Sequence, residues 1–265
     1  MKNVNTWRQI RLLPVIRNEN RQWNIAELQQ VLFKAIRLCG EKCIEDNKGR
    51  IFTTLSGGLD SSLCLAVLRQ ILPSETEIHT FTIGGSKNHA DIKAAQRVSR
   101  RFKTIHHELI PGCEYIEFRY IEELKKLGLD EKEDMGVFWL YRFISSFQVR
   151  SVIVHDGIDE LLGGYWEHRG PRKEPEKEKA FQHLWKRLAP DHLISLEKIA
   201  TRFNISLIFP YLQKEVVEFI SQIPVNDRTS HRKSKMPLRR IANGYLPSQI
   251  INRKKKGFNE ALCKH

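Results

Sequence analysis

No stretch of the 265 residues approaches the unbroken apolar run that a bilayer-spanning helix needs. The opening "MKNVNTWRQIRLLPVIRNEN" has no apolar h-region leading to a small-residue cleavage site, so it does not read as a signal peptide. A cytoplasmic location without a membrane partner is therefore expected. Cysteine is sparse, with five residues scattered at positions 39, 43, 64, 113 and 263. No Cys or His pairs stand at zinc-ligand spacing, although Cys39 and Cys43 would share one helix face. Reduced, structural thiols are the expectation. There is no internal repeat and no long low-complexity tract. A Gly-rich segment is present, but no Gly-Lys-Ser/Thr follows it, which excludes a Walker-type phosphate loop.

What is there is an ordinary globular composition, 41% hydrophobic and 28% charged, in a chain long enough to bury a large core. The formal net charge of +13 favours polyanions: nucleotides, pyrophosphate or nucleic acid. The excess is concentrated late, in "HRKSKMPLRR" (231–240) and "NRKKKGF" (252–258). By contrast "RKEPEKEKA" (172–180) is mixed in sign and reads as a solvated loop.

Residues 24–45 have an apolar stripe through Ile25, Leu28, Val31, Leu32, Ala35 and Leu38, with Asn24 as N-cap and Glu27 three residues on. A short β-prone run, Ile51–Leu55, enters the turn Ser56-Gly57-Gly58, and Leu59–Leu72 then has helical spacing. Further strands are expected over 77–85, over 102–110 and from 150, with helices over 91–101, 114–127 and 134–148. Beyond 175 the pattern is helical, in segments 181–188, 193–203, 213–223 and 237–242. Strands alternating with helices predict an α/β fold, a parallel sheet with helices on both faces and an α-helical C-terminal extension. One domain is expected: a lead with its first helix (1–49), a nucleotide-binding core (50–170) and the extension (171–265). Ligands of such sheets bind beyond the carboxyl ends of the strands. Two Gly-containing turns, after Leu55 and after Val154, sit at such ends.

The first turn, "SGGLDSS" (56–62), joins a strand to a helix start, where backbone N–H groups and the helix dipole converge as phosphate sites require. Gly57 and Gly58 allow close approach of the backbone, Ser56, Ser61 and Ser62 add hydroxyl donors, and Asp60 can hold Mg²⁺. This segment matches the signature of the PP-loop ATP pyrophosphatase superfamily (adenine nucleotide α-hydrolase-like fold), which cleaves ATP to AMP and pyrophosphate. In the second turn, "HDGIDELLGGY" (155–165), Asp156, Asp159 and Glu160 crowd one strand end, where unpaired carboxylates are costly to bury. A metal or a cationic substrate group would resolve that. This turn resembles the Ser-Gly-Glu-Gly…Asp-Glu-x-x-x-Gly-Tyr segment of the asparagine synthetase family. A third likeness is C-terminal: "LPSQIINRKKKGF" (246–258) resembles the family's Leu-Pro…Arg-x-Lys…Gly-Phe, and "SKMPLRR" (234–240) its Lys-x-x-Leu-Arg. "TFTIGG" (80–85) is similar to the strand lining the adenine pocket, and "HHEL" (106–109) recurs in the family; His106 and His107 receive no catalytic role.

The resemblance covers the synthetase half of a typical family member, from about residue 20 onward. It implies an AMP-forming amide ligase that uses ATP and Mg²⁺. Asp60 and Asp159 would bind the metal, while Lys255 and Asp156 would be catalytic. Ser56, Gly57, Gly58, Asp60, Ser61, Ser62, Gly157, Lys235 and Arg253 would hold ATP and pyrophosphate. The partners implied are a small carboxylic acid, aspartate by default, and ammonia or an amine. The family's glutaminase domain with its N-terminal Cys has no counterpart here, so a separate glutaminase subunit is one expected nitrogen source. The sequence departs from the family at two further places. Val154-His155-Asp156 replaces Ser-Gly-Glu, putting a ring where Gly allows close approach. Ile208 and Gln213 replace the Arg and Asp of Arg-x-Pro-Phe-Leu-Asp. Either a structural ion pair is lost there, or the acid pocket has changed. Two rivals stand beside the ligase: a PP-loop ATPase acting on tRNA or RNA bases, and a non-catalytic nucleotide-binding subunit.

Overall fold

The computed structural model describes residues 4–17, 22–112, 118–171 and 173–253. After a short α1 (Trp7–Ile10), α2 runs over Ile25–Asp46. Its start is set by Asn24, whose side chain accepts from the Glu27 amide at 2.8 Å and so satisfies a first-turn donor. Leu28, Leu32, Ala35, Ile36, Cys39 and Cys43 form its buried face. Cys39, Cys43 and Cys64 are free and buried, as expected of structural thiols, whereas Cys113 and Cys263 lie outside the described residues.

Then follow β1 (Ile51–Thr54), α3 (Leu59–Ile71), β2 (Ile78–Ile83), α4 (Ala90–Arg101), β3 (Ile105–Leu109), α5 (Phe118–Lys126), α6 (Glu131–Ser145) and β4 (Ser151–Ile153). All the strands pair in parallel, and the sheet order is β3-β2-β1-β4-β5, with β5 at Ser206–Ile208. Side chains alternate across the sheet. Ile51 and Leu68 of α3 both close on Gly40 of α2, while Phe52 stacks on His79, next to the Phe81 ring that meets Phe143 of α6 and Phe147 just after that helix. Helices thus cover both faces, α2 and α3 on one and α6 on the other. From β1 the chain winds outward through β2 and β3, then returns to lay β4 on the opposite side of β1. That reversal makes the β1/β4 boundary the topological switch point, where open α/β sheets hold ligands.

The region after β4 contains α7 (Ile158–Leu162), α8 (Trp166–Arg169), α9 (Glu174–Leu188), a π-helical turn (Ala189–Leu193) and α10 (Ile194–Arg202). After β5 come a 3₁₀ turn (Pro210–Leu212), α11 (Lys214–Ser221), α12 (Val225–Arg228), α13 (Met236–Ala242) and α14 (Ser248–Ile251). The extension is therefore not purely helical. Its strand β5 completes the sheet beside β4, and three residues ending just short of Pro210 carry too little alternation to announce a strand. Fully buried Arg228 ties the extension to the lead. Its guanidinium donates to the carbonyls of Val15, Leu161, Ser221 and Ile223, replacing the water it loses.

Candidate active site

Thr53 of β1 pairs with Ile153 of β4, so the two Gly-containing turns leave neighbouring strands and meet at the switch point. The first turn presses onto α4. Gly57 has φ +67°, and a Cβ there would lie 2.5 Å from the Ala94 carbonyl carbon and the Ala95 nitrogen, so only glycine fits. The Ser56 hydroxyl lies 3.3 Å from the Gly58 amide and 3.2 Å from the Ser61 hydroxyl. Ser62 Oγ is buried without a partner among the described residues. Gly58 is the N-cap of α3, whose first turn carries Asp60. Tyr211 donates its hydroxyl to the Asp60 carbonyl at 2.8 Å, fixing that first turn from the extension.

In the second turn Gly157 has φ +91°, and an added Cβ would fall 2.3 Å from Leu212. The three carboxylates that crowd this stretch are each met by a group of the chain itself. Asp159 Oδ1 is 2.8 Å from Lys235 Nζ, which also stands 2.6 Å from Asp60 Oδ2. Glu160 accepts from the Tyr165 hydroxyl at 2.9 Å, and burial beside Glu160 pushes that phenol's pKa up, which keeps it a donor. Asp156 Oδ1 is 2.7 Å from His192 Nε2, in the π-helical turn. Lys235 reaches its place through a left-handed backbone (φ 50°, ψ 47°) whose N–H donates to the Leu162 carbonyl at 3.1 Å. Such a conformation is strained for a side chain with a Cβ, by about 1–2 kcal/mol. Here it drives the ammonium into a space only 6% exposed.

The fold thus brings Asp60, Asp159 and Lys235 onto one point and sets the Ser56–Ser62 loop beside it. Asp156 pairs with His192. Arg253 contacts the loop through its backbone: Nη1 donates to the Ser56 carbonyl at 3.3 Å and Nη2 pairs with Asp91, in the first turn of α4. Lys255 lies outside the described residues. Two departures from the family pattern find partners. The His155 ring stands 3.4 Å from the hydroxyls of both Thr53 and Thr54, and burial lowers its pKa to about 4, so it is neutral at physiological pH. Gln213 accepts from the Asn5 amide at 2.9 Å and donates to the Asn5 and Phe209 carbonyls at 3.3 and 2.9 Å, a set that needs both donor and acceptor. His192, Tyr211 and Asp91 are site residues that sequence reasoning missed. His192 is a lone histidine in a helical stretch with no motif around it. Tyr211 stands where the family has Phe, and that added hydroxyl was the available signal.

Residues 46–182 and 171–265 match the asparagine synthase family. The chain is 29% identical over 231 residues to the glutamine-hydrolysing asparagine synthetase of Asparagus officinalis, covering 78% of this chain and 38% of that protein. It is 31% identical over 230 residues to the one of Sandersonia aurantiaca, covering 78% and 43%. The chain therefore spans less than half the length of these relatives. Among solved structures, the NH₃-dependent NAD synthetase from Campylobacter jejuni is similar at a TM-score of 0.35 and 20% identity, over 68% of this chain and 79% of that one.

Proposed function

The chain belongs to the asparagine synthase family, and on that premise we propose that it is an ATP-dependent, AMP-forming amide ligase. Its substrate is a carboxylate, aspartate by default, and its acceptor is ammonia or an amine. The observation that carries this reading is the convergence of Asp60, Asp159 and Lys235, which come from three separate segments, beside a Gly-Gly turn at the switch point.

A free carboxylate is a poor electrophile, so the acid must first be activated. Its oxygen attacks the α-phosphorus of ATP, pyrophosphate departs, and an acyl-adenylate forms. The amine then attacks the acyl carbon, AMP leaves with the bonding pair, and the nitrogen gives up a proton. The Gly57–Gly58 turn and the start of α3 supply N–H donors to the polyphosphate. Lys235 supplies a compact positive charge to the pyrophosphate. Asp60 and Asp159, two carboxylates that already share one cation within 2.8 Å, would hold a Mg²⁺. Mg²⁺ held there would offset negative charge on the polyphosphate. Lys255 is assigned to the reacting phosphate by the register of the closing segment. The Asp156–His192 pair is the acceptor for the amine proton, with the carboxylate holding the imidazole in one tautomer. The protein works in the cytoplasm and takes nitrogen as free ammonia, from a separate glutaminase subunit, or as an amine substrate.

The test is product analysis of ATP turnover with Mg²⁺, ammonia and a panel of carboxylic acids starting with aspartate, resolving AMP from ADP and detecting amide by mass. AMP and amide formed with one acid, and lost in Lys235→Ala and Lys255→Ala, are the expected result. ADP as product, or no turnover with any acid, overturns the proposal. AMP released only on addition of tRNA transfers the chemistry to a base carbonyl.

A further inference from the structure

Asp91 is outside every motif of the nucleotide site, yet it faces the phosphate-receiving turn through a single side chain. It lies in the first turn of α4, which is pressed against that turn at Ala94 and Ala95 and against the end of β2 at Ile92, below Gly84. Its carboxylate pairs with the Arg253 guanidinium, and both side chains are largely buried, at 12% and 16% exposure. The same guanidinium donates from Nη1 to the Ser56 carbonyl. His89, the N-cap of α4, is a further titratable group at this point; its Nδ1 accepts from the Asp91 amide at 3.2 Å.

A guanidinium on that particular carbonyl has a directional consequence. The Ser56–Gly57 peptide is planar and trans, so its C=O and N–H point in opposite directions. Holding the Ser56 oxygen toward Arg253 aims the Gly57 N–H away from it. The Gly57 N–H has no hydrogen-bond partner among the described residues, although Gly57 itself is buried. Glycine on one side makes this peptide easy to flip, since Gly57 populates both signs of φ at similar energy. A flip would turn the N–H out of the site and present a carbonyl oxygen, which repels phosphate. Fixing one rotation of one peptide therefore decides whether Gly57 adds a donor to the anion site or a repelling carbonyl. Arginine suits the task because its fork serves two acceptors in fixed geometry, here the Asp91 carboxylate and the Ser56 carbonyl.

We propose that Asp91 is a positioning residue of the nucleotide site. Through Arg253 it locks the Ser56–Gly57 peptide in the orientation that offers its N–H to phosphate. The inference rests on the reading of residues 56–62 as the ATP loop, and it assigns Arg253 a role toward the loop rather than toward phosphate alone.

The experiment compares wild type, Asp91→Asn, Asp91→Glu, Arg253→Gln and the double variant Asp91→Asn/Arg253→Gln. Affinity for a fluorescent N-methylanthraniloyl ATP is measured with Mg²⁺, together with KM and kcat for ATP in acid-dependent ATP–pyrophosphate exchange. Melting midpoints check that each variant folds. Asp91→Asn should weaken ATP about tenfold and raise KM correspondingly, with kcat changed less than about threefold, as expected for loss of a charge-assisted link. Asp91→Glu, which keeps the charge, should recover most of that loss. The double variant should bind ATP no more weakly than Arg253→Gln alone, because both changes cut one linkage. Wild-type affinity in Asp91→Asn, or losses that multiply in the double variant, overturns the proposal. If wild type binds ATP but exchanges no pyrophosphate with any acid, the ligase reading fails, and the affinities alone still decide the role of Asp91.

Discussion

Replacing Lys235 by Met keeps the bulk of the side chain and removes the ammonium that stands 2.6 Å from Asp60 and 2.8 Å from Asp159. The carboxylates left behind are themselves mostly enclosed, at 18% and 9% exposure, so water can compensate only in part. Removing one partner of a buried ion pair generally costs about 3–5 kcal/mol. Protonation sets a ceiling on that loss. Keeping an ordinary aspartate protonated costs about 5 kcal/mol near pH 7.5 but only about 2 kcal/mol near pH 5.5. In the variant the unmatched carboxylates take up protons more readily when folded than when unfolded, so its deficit relative to wild type shrinks as pH falls. Urea denaturation of wild type and variant, run without nucleotide or Mg²⁺, should give a loss of about 3–5 kcal/mol at the higher pH and a smaller one at the lower, by about 2 kcal/mol where one of the two carboxylates takes the proton. Adding Asp60→Asn to the variant should restore part of the stability, since one of the two unmatched charges is gone. A loss below about 1 kcal/mol near neutrality, or one that does not shrink with acid, would refute the reasoning.

Other expectations can be checked alongside. Gly164→Ala places a Cβ 1.5 Å from Asp159 Oδ1 and must expel that carboxylate from Lys235, so Mg·ATP affinity should fall at least tenfold in a calorimetric titration. Full affinity would show that Asp159 is not needed there. Gln213→Asp retains an acceptor but leaves the Asn5 and Phe209 carbonyls without their donor, and should destabilise by about 1–3 kcal/mol in chemical denaturation. A neutral effect would return that position to the acid pocket. Burial, helped by neighbouring imidazoles, lowers the His107 pKa to about 4, and burial lowers those of His155 and His168 to about 4. The unfolded chain takes up protons from about pH 6.5 downward while the folded state does not, so these three contribute stability above that range that is lost toward pH 4. The melting midpoint of wild type should fall across that window, and His168→Phe should fall less steeply; identical slopes would exclude His168.

Much of the site was legible because phosphate binding makes local demands. A strand end, two glycines and a helix start must be contiguous, and "SGGLDSS" writes them in seven letters. The acidic turn after β4 was legible for the same reason. What resolves its charge was not. The expected metal or substrate cation has a counterpart in the chain itself, since Lys235 reaches back from α13 to Asp159 and Asp60. The fifth strand escaped notice because three residues are strand only by virtue of β4 lying alongside.

The local chemistry follows from the order of residues alone: where the turns fall, which faces of α2 and α3 are apolar, and which residue types can meet phosphate and metal. These properties depend on neighbours within a few positions, and covalent geometry and side-chain periodicity enforce them. Which distant groups share a space depends on the packed fold. Asp156 was brought to His192, Arg253 to Asp91 and the Ser56 carbonyl, and Gln213 to Asn5. Each of these polar groups had to find a partner once burial removed its water. The identity of that partner was set by the packing of whole helices and strands, to which no single residue's neighbours in the chain give a clue.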